Sequence, residues 1–341
     1  MSAKSANDGK NGMWGTALAI ISTIMGGGIV SIPYAYAVAG VGVGISVQVV
    51  VIMAIWCSCV LYLRTRNILR CNTSFSVIAN LCLGPISGII LNTLLVFAVF
   101  GILALYMILF SEIAISLIGT SYAADHFLNH KTFYVCVLSI LISPIITRKR
   151  IQELKLSTYI LFFGVLCLMV LLTAELCING SYDYRLENGL ITAPVVDEKV
   201  VTEVSSLESI TDSVNIAVTS QGFVIALFPI YASMAKEAKP RVMSSISIGL
   251  CFTMTTYTYL SYISISYFGQ DNISPSIFDN IKEEDGAPSV ILRFLFLIIF
   301  FCNIPFVFFA GKLALMAIVH QCFYQKKPAT AAANGQDDDH F

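Results

Sequence analysis

The sequence predicts an all-α polytopic membrane protein, and three observations carry that expectation. Of its 341 residues, 57% are apolar and 12% charged, about half the charged share of an ordinary soluble domain; mean hydropathy is +0.79. No Asp, Glu, Lys, Arg or His occurs from residue 11 to residue 63, a stretch too long for one crossing of the hydrocarbon core and suited to two. Beyond it, apolar runs alternate with short charged breaks. These features exclude a disordered chain, a disulfide-rich secreted scaffold and almost any soluble enzyme. The net charge of −1 gives no basis for nucleic-acid binding.

Taken in order, eight apolar segments have spanning character: residues 14–39, 41–63, 86–118, 132–146, 156–177, 215–233, 243–268 and 289–320. The first is too long for a cleavable leader and reads as a retained signal anchor. The third is long enough to tilt, and the fourth is short. The expected organisation is a cytoplasmic N-terminal tail over 1–12, a transmembrane domain over 13–324 with an acidic extracytoplasmic loop at 178–214, and a solvated disordered tail over 325–341 ending near Asp337, Asp338 and Asp339. With the N-terminus in the cytoplasm, fifteen of the 20 basic residues fall on that side, among them Arg64, Arg66, Arg70, Arg148, Lys149, Arg150, Lys236, Lys239 and Arg241. Both termini are therefore expected to be cytoplasmic. Asn179-Gly-Ser181, Asn272-Ile-Ser274 and Asn72-Thr-Ser74 match the glycosylation sequon, the third on the cytoplasmic side. Most of the ten cysteines lie inside apolar runs, Cys57 and Cys59 included, and read as packing; no spacing suggests zinc.

Two segments carry internal breaks. The first contains Gly26-Gly27-Gly28 near its middle, followed by Pro33. Each glycine lowers helix propensity by roughly 1 kcal/mol, and the proline removes a donor, so the helix is expected to unwind at 26–28. In the sixth, Thr219-Ser220-Gln221-Gly222 interrupts the apolar run ahead of Pro229. Non-helical backbone at membrane depth is tolerated beside protein or a water-filled cavity, and a pair of interrupted spans points to an inverted-repeat transporter. Close small-residue packing between helices is the competing reading. Among other intramembrane polar residues, Glu112 is a candidate proton site or an interfacial group. Asn303, beside Cys302 and ahead of Pro305, could bind an ion or cap a carbonyl freed by the proline. Arg293 and Lys312 read as snorkelling side chains. No nucleophile–base pair, phosphate loop or metal cluster is present, which argues against an enzyme and against a bound cofactor.

The stretch from Ser22 through Met25-Gly-Gly-Gly-Ile29 and Pro33-Tyr34-Ala35 to Gly40 resembles the first span of the amino acid/auxin permease family. Ile151-Gln-Glu-Leu-Lys-Leu-Ser-Thr158 is similar to that family's entry to the fifth span. Pro229-Ile-Tyr231 with Pro240, Arg241 and Met243 resembles a segment of its sodium-coupled neutral amino acid transporters, as do Arg293 and Ile304-Pro305-Phe-Val-Phe-Phe309 of the eighth span. The resemblance implies a LeuT-like inverted-repeat fold carrying a small neutral amino acid by alternating access, in symport with a proton or sodium. It places Gly26, Gly27, Gly28 and Ile29 on the substrate carboxylate, Thr219, Ser220, Gln221 and Gly222 on the amino group or side chain, and a cation near Ser22, Gly26, Cys302 and Asn303. Ser22 stands where sodium-coupled members commonly have Asn, which favours a proton. Family members have about eleven spans, so the second repeat here is incomplete. A truncated sequence, a short chain completed by a homodimer or partner subunit, and a non-transporting sensor or assembly subunit are all open readings. A plasma membrane and a lysosome- or vacuole-like membrane both fit.

Overall fold

The computed structural model describes residues 11–26, 28–69, 75–118, 127–146, 155–188, 207–282 and 286–324. Thirteen α-helices lie within them: α1 (Met13–Ile24), α2 (Gly28–Ala39), α3 (Val41–Leu69), α4 (Phe75–Leu83), α5 (Pro85–Ile118), α6 (Lys131–Ile146), α7 (Lys155–Asn179), α8 (Tyr182–Glu187), α9 (Leu207–Ser220), α10 (Leu227–Ala232), α11 (Val242–Phe268), α12 (Ile277–Lys282) and α13 (Ala287–Tyr324). Each of the eight expected apolar segments contains helix. Among the described residues, five helical stretches are long and apolar enough to cross a membrane, and a sixth results when α1 and α2 are taken as one bent crossing. The remaining two segments fall short for different reasons. Helix α6 has 16 residues, whereas α11 has 27 but is rich in Ser, Thr and Tyr.

Burial separates central from peripheral helices. Half of the apolar window is buried in the α9–α10 stretch and in α13, against 28% in α3 and 22% in α5. The outward side chains of the peripheral helices, such as Val50, Phe97, Ile140 and Val170, are large and apolar, as a lipid-facing surface requires. Inside, α1 packs on α11, α2 on α9, and α13 along α5. Glycines set the closest of these approaches: a methyl on Gly249 of α11 would come within 2.8 Å of Ile20 of α1, and one on Gly311 of α13 within 2.6 Å of Val99 of α5. Small residues are what allow helices to pack this closely without a hydrophobic drive between them. Gly40 turns the chain from α2 into α3 at φ +81°.

At one face the start of α1 is tied to the end of α10. The Asn11 N–H donates to the Ser233 carbonyl at 2.9 Å, and the Asn11 carbonyl accepts from Ala235 N–H at 3.0 Å. Beside this bridge, Arg66 and Lys239 stack on the Tyr231 ring at 4.3 and 5.1 Å, a cation–π arrangement. This end is called the N-terminal face below, and the end holding Gly40 and Gly269 the opposite face.

Three expectations about extent are corrected here. The sixth segment is helical from Leu207, not from residue 215, so Glu208 and Asp212 belong to a helix and the loop expected over 178–214 is shorter. Glu208 lies in the first turn of α9, where a carboxylate favours the helix dipole; its charge had marked it as loop. Helix α2 starts at Gly28, so Gly28 is helical rather than unwound, and α2 continues through Pro33. Finally, Arg293 does not snorkel. It is 7% exposed, and its guanidinium donates to the Ile281 carbonyl at 3.0 Å and the Ser116 carbonyl at 3.5 Å. Residues 1–10 and 325–341, Asn72 and Gly27 lie outside the described residues.

Candidate functional site

Both interrupted segments are broken where the sequence places the interruption. Helix α1 stops at Ile24, and the axes of α1 and α2 differ by 63°. Helix α9 stops at Ser220; a 3-10 turn over Phe223–Ala226 then leads into α10. The turn is held by Gly222 N–H to the Thr219 carbonyl at 3.3 Å and Phe223 N–H to the Gln221 carbonyl at 2.7 Å.

The two breaks touch. A Cβ on Gly28 would stand 2.3 Å from Ser220 Cβ and 2.6 Å from Ser220 Cα, so the first residue of α2 lies directly against the last of α9. The first four N–H groups of a helix and its last four carbonyls lack intrahelical partners and carry partial positive and negative charge. The contact therefore sets the positive end of α2 beside the negative end of α9. A partly enclosed cavity of about 70 Å³ opens there, lined by Thr23, Ile24, Gly28, Tyr106, Thr219, Ser220 and Gly222 on its polar side and by Val99, Ile102, Ile225 and Val307 among its apolar residues.

The predicted residues divide as follows. Gly28, Thr219, Ser220 and Gly222 line the cavity. The Ile29 side chain is wholly buried in the core, leaving only its backbone for a ligand. Gln221 is also wholly buried and does not line the cavity; its amide N and O have no hydrogen-bond partner among the described residues. Gly26 lies against Asn303, whose Nδ2 would be 2.4 Å from a Cβ there. Ser22 is 6% exposed and donates to the Ala19 carbonyl at 3.0 Å on its own helix. The Cys302 side chain lies outside the described residues. Glu112 stands apart, at the opposite-face end of α5, paired with Lys131 at 2.7 Å.

A model of the family described as transmembrane amino acid transporter protein matches residues 9–338. The chain belongs to this family. It is thus a multi-pass integral membrane protein of a transporter family and not an enzyme. No curated protein gives a significant match to the sequence.

In this transporter-family chain, two further residues complete the site, and the sequence assigns neither of them a role there. Tyr106 of α5 lines the cavity, and its hydroxyl accepts from Asn303 Nδ2 at 3.2 Å. Asn303 thus uses its amide N–H on a neighbouring helix. Tyr257 of α11, wholly buried, donates its hydroxyl to the Ile24 carbonyl at 2.9 Å, satisfying a group that the end of α1 leaves free. A tyrosine in an apolar run carries no periodic signal. The one clue to Tyr257 is the run of Thr, Ser and Tyr along α11. Tyr257→Phe is expected to cost about 1 kcal/mol or more, because a buried acceptor loses its donor. The unfolding free energy in mixed micelles reads this directly, and an unchanged value would remove Tyr257 from the break.

Proposed function

We propose that this protein carries small neutral amino acids across a membrane by alternating access around the paired breaks, driven by a proton or sodium gradient. The observation that supports it most is the meeting of α2's amino end with α9's carboxyl end at Gly28 and Ser220, beside a cavity. An amino acid is a zwitterion, and opposite helix ends side by side offer each of its charges a partner: N–H groups of Gly28 and Ile29 for the carboxylate, carbonyls at the end of α9 and the Thr219 and Ser220 hydroxyls for the ammonium. Gly27 joins this set on sequence grounds. The apolar wall of Val99, Ile102 and Ile225 takes a short aliphatic side chain. The volume of about 70 Å³ holds roughly five to seven water-sized groups, comparable to the heavy atoms of glycine or alanine.

The coupling cation is assigned to the neighbourhood of Gly26, Asn303 and Ser22, one turn from the substrate backbone, with Cys302 adjacent in sequence. Glu112 is the alternative proton carrier. Both termini are placed in the cytoplasm, following the basic residues. The test is uptake of labelled neutral amino acids by liposomes containing the full chain under an imposed proton or sodium gradient. Saturable, gradient-dependent uptake is expected, and Gly27→Leu should abolish it without preventing insertion. Correctly inserted protein that moves no amino acid would point instead to a non-transporting sensor or subunit.

A further inference from the structure

A second cavity, of about 260 Å³, lies at the opposite face, and its lining includes Glu112, Ser116, Lys131, Ser276, Phe278 and Asp279. It is larger than the central one and different in chemistry. Glu112 is on α5 six residues beyond Tyr106, about 9 Å along the helix axis, so the two cavities share one wall. Between them stands a stack of rings. Phe278 packs edge-on against Phe296 at 4.4 Å and reaches Phe300 at 6.4 Å, and Phe300 lies 5.7 Å from Tyr106. Leu109, 6% exposed, seals the same level from α5.

The charges of this outer cavity suit a ligand that carries both signs. Lys131 and Glu112 pair with each other at 2.7 Å while 58% and 36% exposed, and a pair that exposed contributes little stability. A zwitterion can replace each side chain's partner at small cost, setting its carboxylate on Lys131 Nζ and its ammonium on Glu112. Asp279 of α12 supplies a second carboxylate to the same cavity, which favours the ammonium further. A simple anion would leave two carboxylates opposing it, and a simple cation would leave Lys131 unpaired.

We propose that this cavity is an outer docking subsite for zwitterionic α-amino acids, separated from the central cavity by the ring stack of Phe278, Phe300 and Tyr106. The assignment rests on the transport reading above. It is tested by uptake of tritiated L-alanine into liposomes containing the full chain, together with equilibrium dialysis of the same ligand against purified protein. Lys131→Met is expected to raise the KM for uptake about tenfold, the loss of one charge-assisted contact, with the maximal rate held within about twofold, and Glu112→Gln to raise the KM by a similar factor. Lys131→Arg and Glu112→Asp should keep the wild-type KM. In dialysis the wild type should bind a second L-alanine that Lys131→Met does not. An unchanged KM, a fall in maximal rate at constant KM, or equal stoichiometry in wild type and Lys131→Met would overturn the subsite. Absent uptake with a Lys131-dependent second molecule would support the subsite and defeat the transport reading; no binding at all would overturn both.

Discussion

Gly28→Ala should abolish amino acid uptake and destabilise the protein by about 1–3 kcal/mol, the usual cost of overpacking a closed interior. The reason lies in what the new methyl would meet. Ser220 Cβ would be 2.3 Å away and Ser220 Cα 2.6 Å, whereas carbon atoms sit comfortably at about 3.5–4.0 Å. A flexible side chain could swing aside, but Cα is backbone, so α2 and α9 would have to separate by about 1 Å. That movement would part the two helix ends whose proximity the transport reading requires, and a change of that size in a binding geometry can cost about a hundredfold in rate. Ser220→Gly removes the nearer of the two contacts and leaves the backbone one, so the double variant should recover only part of the stability. Unfolding in mixed micelles and liposome uptake are the paired readouts. Wild-type values of both in Gly28→Ala would show that the two breaks are not packed as described.

The breaks themselves were legible in the sequence because they violate the local rule of their surroundings. Three glycines in an apolar run, or a Thr-Ser-Gln-Gly stretch in another, are unfavourable in a buried helix unless the backbone does something other than continue it. Asn303 was legible as a lead for the same reason, but not its pairing: Tyr106 lies 197 residues away on a helix otherwise apolar throughout that turn. Arg293 was misread because position near a span end predicts snorkelling, while its burial depends on carbonyls supplied by Ser116 and Ile281. The start of α9 was misread because charge was taken as a sign of loop. Its acidic residues instead stand in the first two turns of a helix whose other face supplies buried Ser213 and Ala217.

Gly26→Ala should also destabilise the protein, but in a way that a second substitution relieves. Its methyl would stand 2.0 Å from the Tyr106 hydroxyl and 2.4 Å from Asn303 Nδ2. Both are ends of side chains rather than backbone. Tyr106→Phe removes the nearer atom and frees the Asn303 amide from the bond that holds it, so it can turn away. Taken alone, Tyr106→Phe strands a buried donor, since Asn303 is 4% exposed, and should cost about 1–3 kcal/mol. If the three groups share one small space, the double variant should be more stable than the sum of the two single costs allows, with a coupling of about 0.5–3 kcal/mol. Strict additivity would mean that Gly26 does not face the Tyr106–Asn303 pair. Uptake should stay low in the double variant even where stability returns, because the Tyr106 hydroxyl lies on the cavity wall as well as against Gly26. Recovery of folding without recovery of transport would separate the packing role of this cluster from its role toward the substrate.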